Sequence, residues 1–430
     1  MLGGGTFLTQ NKVVPGTYHN FASAKRDYSN LADRGFAAIV LEHDFGLNDE
    51  VLMLTSEAFQ KDSLALLGYG YTHDKLKGLR EVFKNAHTVY LYILGTKTKA
   101  SNDYATARMA GTRGNGIKVV ITKQETKFEV KILIDNIEVD TQLVAKASEL
   151  IDNNYVNFKK EAELLATAGT ALIGGLDGTA TDTEHQKALD TLEAYAFNTL
   201  ACLSDVKGIK DLYIDYTKRM REKTGAKFQL VGHDLGATDN EGIIDISNKA
   251  TGLTHELAYW VTGAIAGCAV NKSLTNKTYN GEYEIDLTGT KTQEQLAELI
   301  KKGKFAFHRV GSSINVLEDI NTFTSFTSEK NEDFSYNQVI RVLDQIAIDT
   351  ANLFNSRYLG KVANDEDGRI SLWNDISKHR KELEKLRAIQ NYDNSKLIVS
   401  AGSFKKAVSI EEYIEVTVAM SQLYVTTTVA

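Results

Sequence analysis

Between Gly169 and Cys268 short apolar runs and amphipathic segments alternate without a break, and that alternation leaves few folds open. Thr170–Gly174 (TALIG) reads as a strand. Asp182–Ala194 reads as a helix, opened by Thr181 with Glu184 three residues on, the spacing of a capping box. Thr199–Leu203 and Lys227–Val231 are further strands. Val206–Lys223, stopped at Gly225, and Thr254–Cys268 are further helices. This order predicts an open sheet with crossover helices on its faces. Gly263 and Gly267, flanked by Ala264 and Ala266, form a small-x-x-x-small spacing that predicts a helix pressed closely against a sheet or a neighbour.

The flanks add less regular material. Phe36–Leu41 and Val89–Leu94 read as strands and Ser56–Leu67 as a helix. Ile117–Thr122, Lys127–Leu133 and Ile137–Leu143 are short strands of a β-module inserted between α/β segments. Downstream come a helix over Thr292–Lys302, a strand pair in FAFHRV and SINVLEDI, and long helices over Asn337–Tyr358 and Leu372–Ile389. The first long helix points Val339, Leu343, Ile346, Leu353 and Phe354 inward; the second Leu372, Ile376, Leu383, Leu386 and Ile389. At 430 residues the chain exceeds what one core holds. The expected division is an arm over 1–20, an α/β segment over 21–100, an inserted β-domain over 101–160, an α/β core over 161–410, and terminal strands with an arm over 411–430. The class is α/β, α+β over the whole chain.

The ends are unusual. Tyr413–Ala430 places Ile414, Val416, Val418 and Met420 on even positions, then Leu423, Val425 and Val429 on odd ones. Period two marks a strand with one buried face, and an uncharged β-branched end must be covered by its own domain or by another sheet edge. Leu2, Phe7 and Leu8 lie in the Gly-rich MLGGGTFLTQ, a weaker version of the same feature. Two adhesive ends suggest an assembly protein.

The chemistry-bearing candidates are sparse. A net charge of −7 gives no case for nucleic acid or an anionic membrane. Cys202 and Cys268 lie in apolar runs, as buried free thiols do. No signal-peptide layout opens the chain, and the apolar run Leu257–Val270 is too short to span a bilayer. Ile173–Thr183 is Gly-rich between a strand and a helix but lacks the Gly-Lys-Ser/Thr ending of a phosphate loop. His255-Glu256 lacks a second histidine at position 259, where Tyr259 stands, so no zinc-ligand pair forms. His233-Asp234, at the end of a strand, holds the position where open sheets bind ligands, but with no partner base or metal set. A nucleotide-binding or hydrolytic enzyme using His233, Asp234 and the Gly174–Gly178 loop stays open as the alternative. Lys378, Arg380, Lys381, Glu382, Glu384, Lys385 and Arg387 lie opposite an apolar stripe, a solvated face or a docking face.

Taken in order, the segments GGGTF, NKVVPGTYHNF, ARMAGTRGNGIKVVI, LIGGLDGTATDTEHQKALDTLE, HELAYWVTGAIAGCAVNKSLTNKTY, INVLEDINTFT and RVLDQIAIDTANLFNSRYLGKVANDEDGRISLWNDI resemble the contractile tail sheath proteins of myophages and R-type bacteriocins, closest to diffocin-like and defective-prophage sheaths. The resemblance implies a non-enzymatic subunit without cofactor or metal. Such subunits polymerise as stacked hexameric rings around an inner tail tube, then contract to drive it through a target envelope. It implies as partners further copies of the chain, the tube protein, and baseplate and tail terminator proteins, with neither nucleic acid nor membrane. Assembly is expected in the cytoplasm of the producing bacterium, and the product becomes part of a virion tail or bacteriocin particle. Inter-subunit arms carry over to Gly3, Gly4, Gly5, Thr6, Phe7, Leu8 and Thr9, and to Leu423, Tyr424, Val425, Thr426, Thr427, Thr428 and Val429. Gly3–Gly5 and the region of Gly402 are the expected hinges. A tube-docking helix carries over to Lys378, Lys381, Glu382, Lys385 and Arg387.

Overall fold

A computed structural model describes residues 31–288 and 292–429; the N-terminal arm expected at Gly3–Thr9 lies outside them. The body begins with β1 (Phe36–Leu41), β2 (Val51–Thr55), α1 (Ser56–Leu67), α2 (Lys77–Phe83) and β3 (Thr88–Ile93). Thr55 caps α1 by accepting from Ala58 N, and Gly68 ends it in the left-handed region, a conformation glycine adopts without a Cβ penalty.

The inserted β-module follows: β4 (Ala105–Ala107), β5 (Ile117–Gln124), β6 (Lys127–Ile134), β7 (Ile137–Val144), β8 (Val156–Phe158) and β9 (Thr167–Ala171). Its four-stranded antiparallel sheet runs β7-β6-β5-β9, with β4 and β8 paired separately. Ile117, Val119 and Ile121 of β5 and Val130, Ile132 and Ile134 of β6 alternate into its core. The strand expected near Thr170 is therefore not part of the open sheet; it closes the module, because its backbone pairs antiparallel with β5.

The chain then returns to the first body through α3 (Asp182–Leu192), β10 (Thr199–Cys202), α4 (Lys207–Arg219), β11 (Gln229–His233), β12 (Ile243–Ile246), α5 (Leu257–Gly267), α6 (Gln293–Lys301), β13 (Lys304–Phe305) and the hairpin β14 (Phe307–Val310)–β15 (Ser313–Val316). One seven-stranded sheet results, in the order β13-β12-β11-β10-β1-β3-β2. Every pairing is parallel except β2 with β3. The N-terminal segment and the later α/β core thus share a sheet, joined where β1 lies beside β10 across the whole insertion. Side chains alternate across it. Ala38, Val40, Leu200, Cys202 and Leu230 face α3 and α4; Ala37, Ile39, Val89, Leu91 and Ala201 face α1 and α2. Val231, Ile244 and Ile246 face α5. Cys202 and Cys268 are both free and buried.

The C-terminal part holds α7 (Asn337–Leu353), α8 (Glu366–Lys385), β16 (Ile389–Gln390), β17 (Ile398–Ala401), β18 (Val408–Glu411) and β19 (Glu415–Val416). Helix α7 continues into wider i→i+5 turns over Phe354–Tyr358. Helix α8 starts six residues before the expected Leu372, because the Asp365 side chain caps it by accepting from Gly368 N. Of its expected inward residues Leu386 is exposed beyond the helix end, while Ile389 is buried as expected but belongs to β16.

Candidate assembly surfaces

The C-terminal segment has two parts. Ile414 and Val416 turn inward onto Val270, Val342, Leu383, Ala388 and Ile389. β19 pairs antiparallel with β16, and Thr417 N donates to Ala388 O at 3.0 Å. The Gln338 side chain of α7 holds the next residues: its Nε2 donates to Thr417 O at 3.1 Å and its Oε1 accepts from Ala419 N at 2.9 Å. Pairing ends there. From Met420 to Val429 no helix or strand forms, and Leu423, Tyr424, Val425 and Val429 are 87, 86, 73 and 88% exposed. Val418 and Met420, expected inward with Ile414 and Val416, are exposed as well, because none of the described residues covers the segment once the ladder stops.

The hairpin β17–β18 pairs only with itself among the described residues. One side rests on Tyr358, Leu372, Ile376 and Trp373, while Ile398 and Phe404 are exposed. Gly402 lies in its turn, where its N donates to Ala407 O at 2.8 Å and an added Cβ would meet Ala407 Cβ at 2.6 Å. That enclosure corrects the expected hinge: Gly402 belongs to a closed hairpin turn, not to a joint between body and arm.

On α8, Lys378, Lys381 and Lys385 are exposed, and Glu382 is half-buried between them. Their spacing of three and four residues puts them on one helix face. Arg387 is exposed just past the helix end with φ 58°. Arg380 breaks the expected charged face. It is buried, with Nε and Nη2 donating to Glu412 at 2.9 and 2.8 Å, because the end of β18 brings Glu412 alongside.

Behind these surfaces α7 turns a polar side inward, which its apolar stripe did not disclose. Arg221 of the α4 end forks onto Asp344 at 2.8 and 2.9 Å, and Arg341 reaches Asp319 at 3.2 Å and Lys272 O at 2.6 Å. Arg34 donates to Cys268 O at 3.0 Å and Ile265 O at 3.3 Å, at the carbonyl end of α5. Burial, with Arg341 nearby, lowers its pKa to about 10. These pairs are bidentate or multiply bonded, as buried charges must be.

The positions singled out for chemistry do not converge. His233 sits at the carboxyl end of β11, where burial and Lys210 push its pKa down. The Asp234 carbonyl, rather than its carboxylate, accepts from Lys210 Nζ at 3.2 Å. The neighbouring Asp245 is taken by Lys304 and by Leu235 N. His255 hydrogen-bonds Asp205 at 3.2 Å in the turn before α5. The Gly-rich stretch serves packing: a Cβ on Gly175 would overlap the Gly111 carbonyl, and one on Gly178 the backbone of Thr96. Among the described residues no group of three or more His, Cys, Asp or Glu is arranged to hold a metal, and no helix is long and apolar enough to cross a membrane.

Comparison with known proteins matches three family descriptions in succession. They are the "phage tail sheath protein beta-sandwich domain" over residues 94–177, the "phage tail sheath protein central domain" over 178–322 and the "phage tail sheath C-terminal domain" over 329–430. The chain is 32% identical over 381 residues to the phage-like element PBSX protein XkdK of Bacillus subtilis, with 80% of each chain covered. Among solved structures it is similar to a sheath tail protein of Desulfitobacterium hafniense at 33% identity and TM-score 0.79, covering 95% of this chain and 99% of that one. The helical sheath of the anti-feeding prophage in its contracted state shares the fold at 12% identity, with TM-score 0.58 over 97% of this chain and 99% of that one.

Proposed function

Because the chain belongs to the phage tail sheath protein family, we propose that it is the repeating subunit of a contractile sheath, stacked as hexameric rings around an inner tube, whose shortening drives the tube through a target envelope. The observation that carries this reading is the run Leu423–Val429, which leaves a well-packed body with its apolar side chains in solvent. An uncharged, β-branched segment of this kind is stable only when another chain covers it. Its chemistry suits strand addition to a neighbour's sheet edge, and the β17–β18 hairpin, unpaired on its outer edges among the described residues, is the acceptor we assign. Gly3–Thr9 is the second arm in this reading.

Strand addition is head-to-tail: the donor segment and the acceptor hairpin are different surfaces, so each added copy presents a further donor and a further acceptor, as a repeating tube requires. Each apolar side chain buried this way contributes roughly 1.5–3 kcal/mol, and the same term recurs at every copy. A change of lattice then needs only a small preference per subunit, summed over many. The exposed Lys378, Lys381, Lys385 and Arg387, with Glu382 among them, form the face we assign to the tube, and they call for an acidic partner surface. Baseplate and terminator proteins would meet the two ends of the stack. Assembly takes place in the producing bacterium, and the sheath leaves within the released particle.

Deleting Leu423–Ala430 tests the reading. The shortened chain should keep its far-ultraviolet circular dichroism and unfolding midpoint yet remain monomeric at concentrations where the full chain forms tubes in negative stain. Tubes of normal length from the shortened chain would refute the arm.

A further inference from the structure

The first described residues, Leu31 and Ala32, and the strand leading into the exposed C-terminal run meet in one place, and a single run of buried polar groups joins them. At the first described residues, Leu31 packs against the cluster that holds Ile414 and Val416. Ala32 N donates to Asp349 Oδ1 at 2.7 Å, and Ala32 O accepts from Gln345 Nε2 at 3.0 Å. Asp349 on α7 bonds His379 Nε2 on α8 at 2.7 Å. His379 Nδ1 meets Arg380 Nη1 at 2.6 Å, and Arg380 forks onto Glu412, two residues before Ile414. Arg380 Nη2 also donates to Thr350 Oγ1 at 3.1 Å.

Donor chemistry orders the run. A guanidinium has only donors, so His379 Nδ1 accepts from Arg380 and its Nε2 carries the proton donated to Asp349. The side chains of Asp349, His379 and Arg380 are 1, 3 and 2% exposed, so water cannot replace a lost partner; Glu412, at 19%, is the member nearest solvent. If Glu412 withdraws, Arg380 is a buried cation left with two neutral acceptors, His379 Nδ1 and Thr350 Oγ1, and the first of these is the ring that holds Asp349. Satisfying Arg380 then competes with the bond that holds Ala32. Neighbouring members of such a network do not act independently.

We propose that the Asp349–His379–Arg380–Glu412 run is a shared clamp that couples the roots of the two terminal segments, so that loosening one loosens the other. Its purpose rests on the arm reading above: a clamp between two arms lets a pull on one by a neighbouring subunit reach the other within the same subunit. The clamp itself is a property of the single chain and is testable without assembly.

Hydrogen–deuterium exchange of the full chain, kept monomeric by dilution and checked by light scattering, compares wild type with Glu412→Gln, a mild change at the half-open end. The amides of Ala32–Phe36 should exchange about tenfold faster, in step with those of Tyr413–Ala419, while β10–β12 stay protected. The reverse substitution site, Asp349→Asn, should accelerate Tyr413–Ala419 likewise. Gln338→Ala frees the Thr417 carbonyl and the Ala419 amide without touching the run, and should speed Val418–Ala419 alone. Faster exchange at Tyr413–Ala419 with Ala32–Phe36 unchanged in Glu412→Gln overturns the clamp. So does a uniform rise that includes β10–β12, since that is general destabilisation. Failure of tube formation on deleting the last residues bears on the arms alone, so the two readings stand or fall separately.

Discussion

Gly267 faces the backbone carbonyl of Asn85 so closely that a methyl group in place of its hydrogen would overlap that oxygen, and a Cβ on Gly263 would lie 2.8 Å from Val82 Cα. Gly78 on the opposing helix admits the ring of Tyr259 in the same way. In an open helix Gly→Ala gains up to about 1 kcal/mol in propensity. Here the clash decides the sign, because α2 and α5 would have to part. Gly267→Ala should therefore destabilise by about 2 kcal/mol, read as a lower urea midpoint with an unchanged slope; a rise in midpoint would show that the helices have room. The spacing of Gly263 and Gly267 was legible as close packing, but the partner was not, since α2 lies some 180 residues upstream and only the folded sheet brings it alongside. The same holds for Arg380. In sequence it is one cation among Lys378, Lys381 and Lys385, and only the approach of Glu412 from the following strands takes it out of solvent.

Helix α8 is the element with two roles on two faces. Leu372, Ile376 and Leu383 hold it to the body, His379 and Arg380 hold the terminal segments, and Lys378, Lys381 and Lys385 remain outside. Exposed charges of this kind contribute about 0–1 kcal/mol to stability. Reversal of Lys381, Lys385 and Arg387 to Glu should accordingly leave the unfolding midpoint nearly unchanged. In co-sedimentation with preformed tube, the reversed chain should stay in the supernatant where wild type pellets, and the difference should shrink for wild type itself at high salt. Equal pelleting of both would remove the docking face. The strands told a different story at this level. β2, β12 and β13 carry no clear local signal: β13 spans two residues, β12 (IIDI) carries Asp245 amid its isoleucines, and β2 (VLMLT) is a short edge strand. Short strands carry too few positions for a period to show.

At the scale of the whole molecule, four histidines among the described residues, on different elements, shift in one direction. Burial holds His43, His185, His233 and His308 below the ordinary value of 6.5. The folded chain thus prefers neutral rings. Above pH 6.5 neither folded nor unfolded chain binds these protons, and nothing is lost. As pH falls through 6.5 the unfolded chain takes them up first, and stability declines until the depressed folded values are reached. A well-buried ring such as His43 contributes at most about 1.4 kcal/mol per pH unit in that window, and the more solvent-screened His233 and His308 contribute less. The urea midpoint should fall between pH 7 and pH 5.5 and less steeply in His185→Gln, whose ring Nδ1 lies 3.1 Å from the Tyr213 hydroxyl in the sheet's core. A midpoint flat across that range would contradict the burial of these rings.

The sequence by itself determined the class of fold, the run of parallel strands and crossover helices after the insertion, the existence of a β-module, and, through the order of its segments, the family. These are set by local period, by caps and by chain order, all of which a single strand of text carries. It also showed that the last residues require a cover. What only the tertiary structure decided is which segments meet. β1 lies beside β10 across an entire inserted module, β9 joins the module instead of the open sheet, and the charged side of α7 turns inward toward Arg221, Ala32 and His379. Those outcomes depend on contacts between residues tens to hundreds of positions apart, where a buried charge is stable only because its partner arrives from elsewhere in the chain, and no local pattern encodes that arrival.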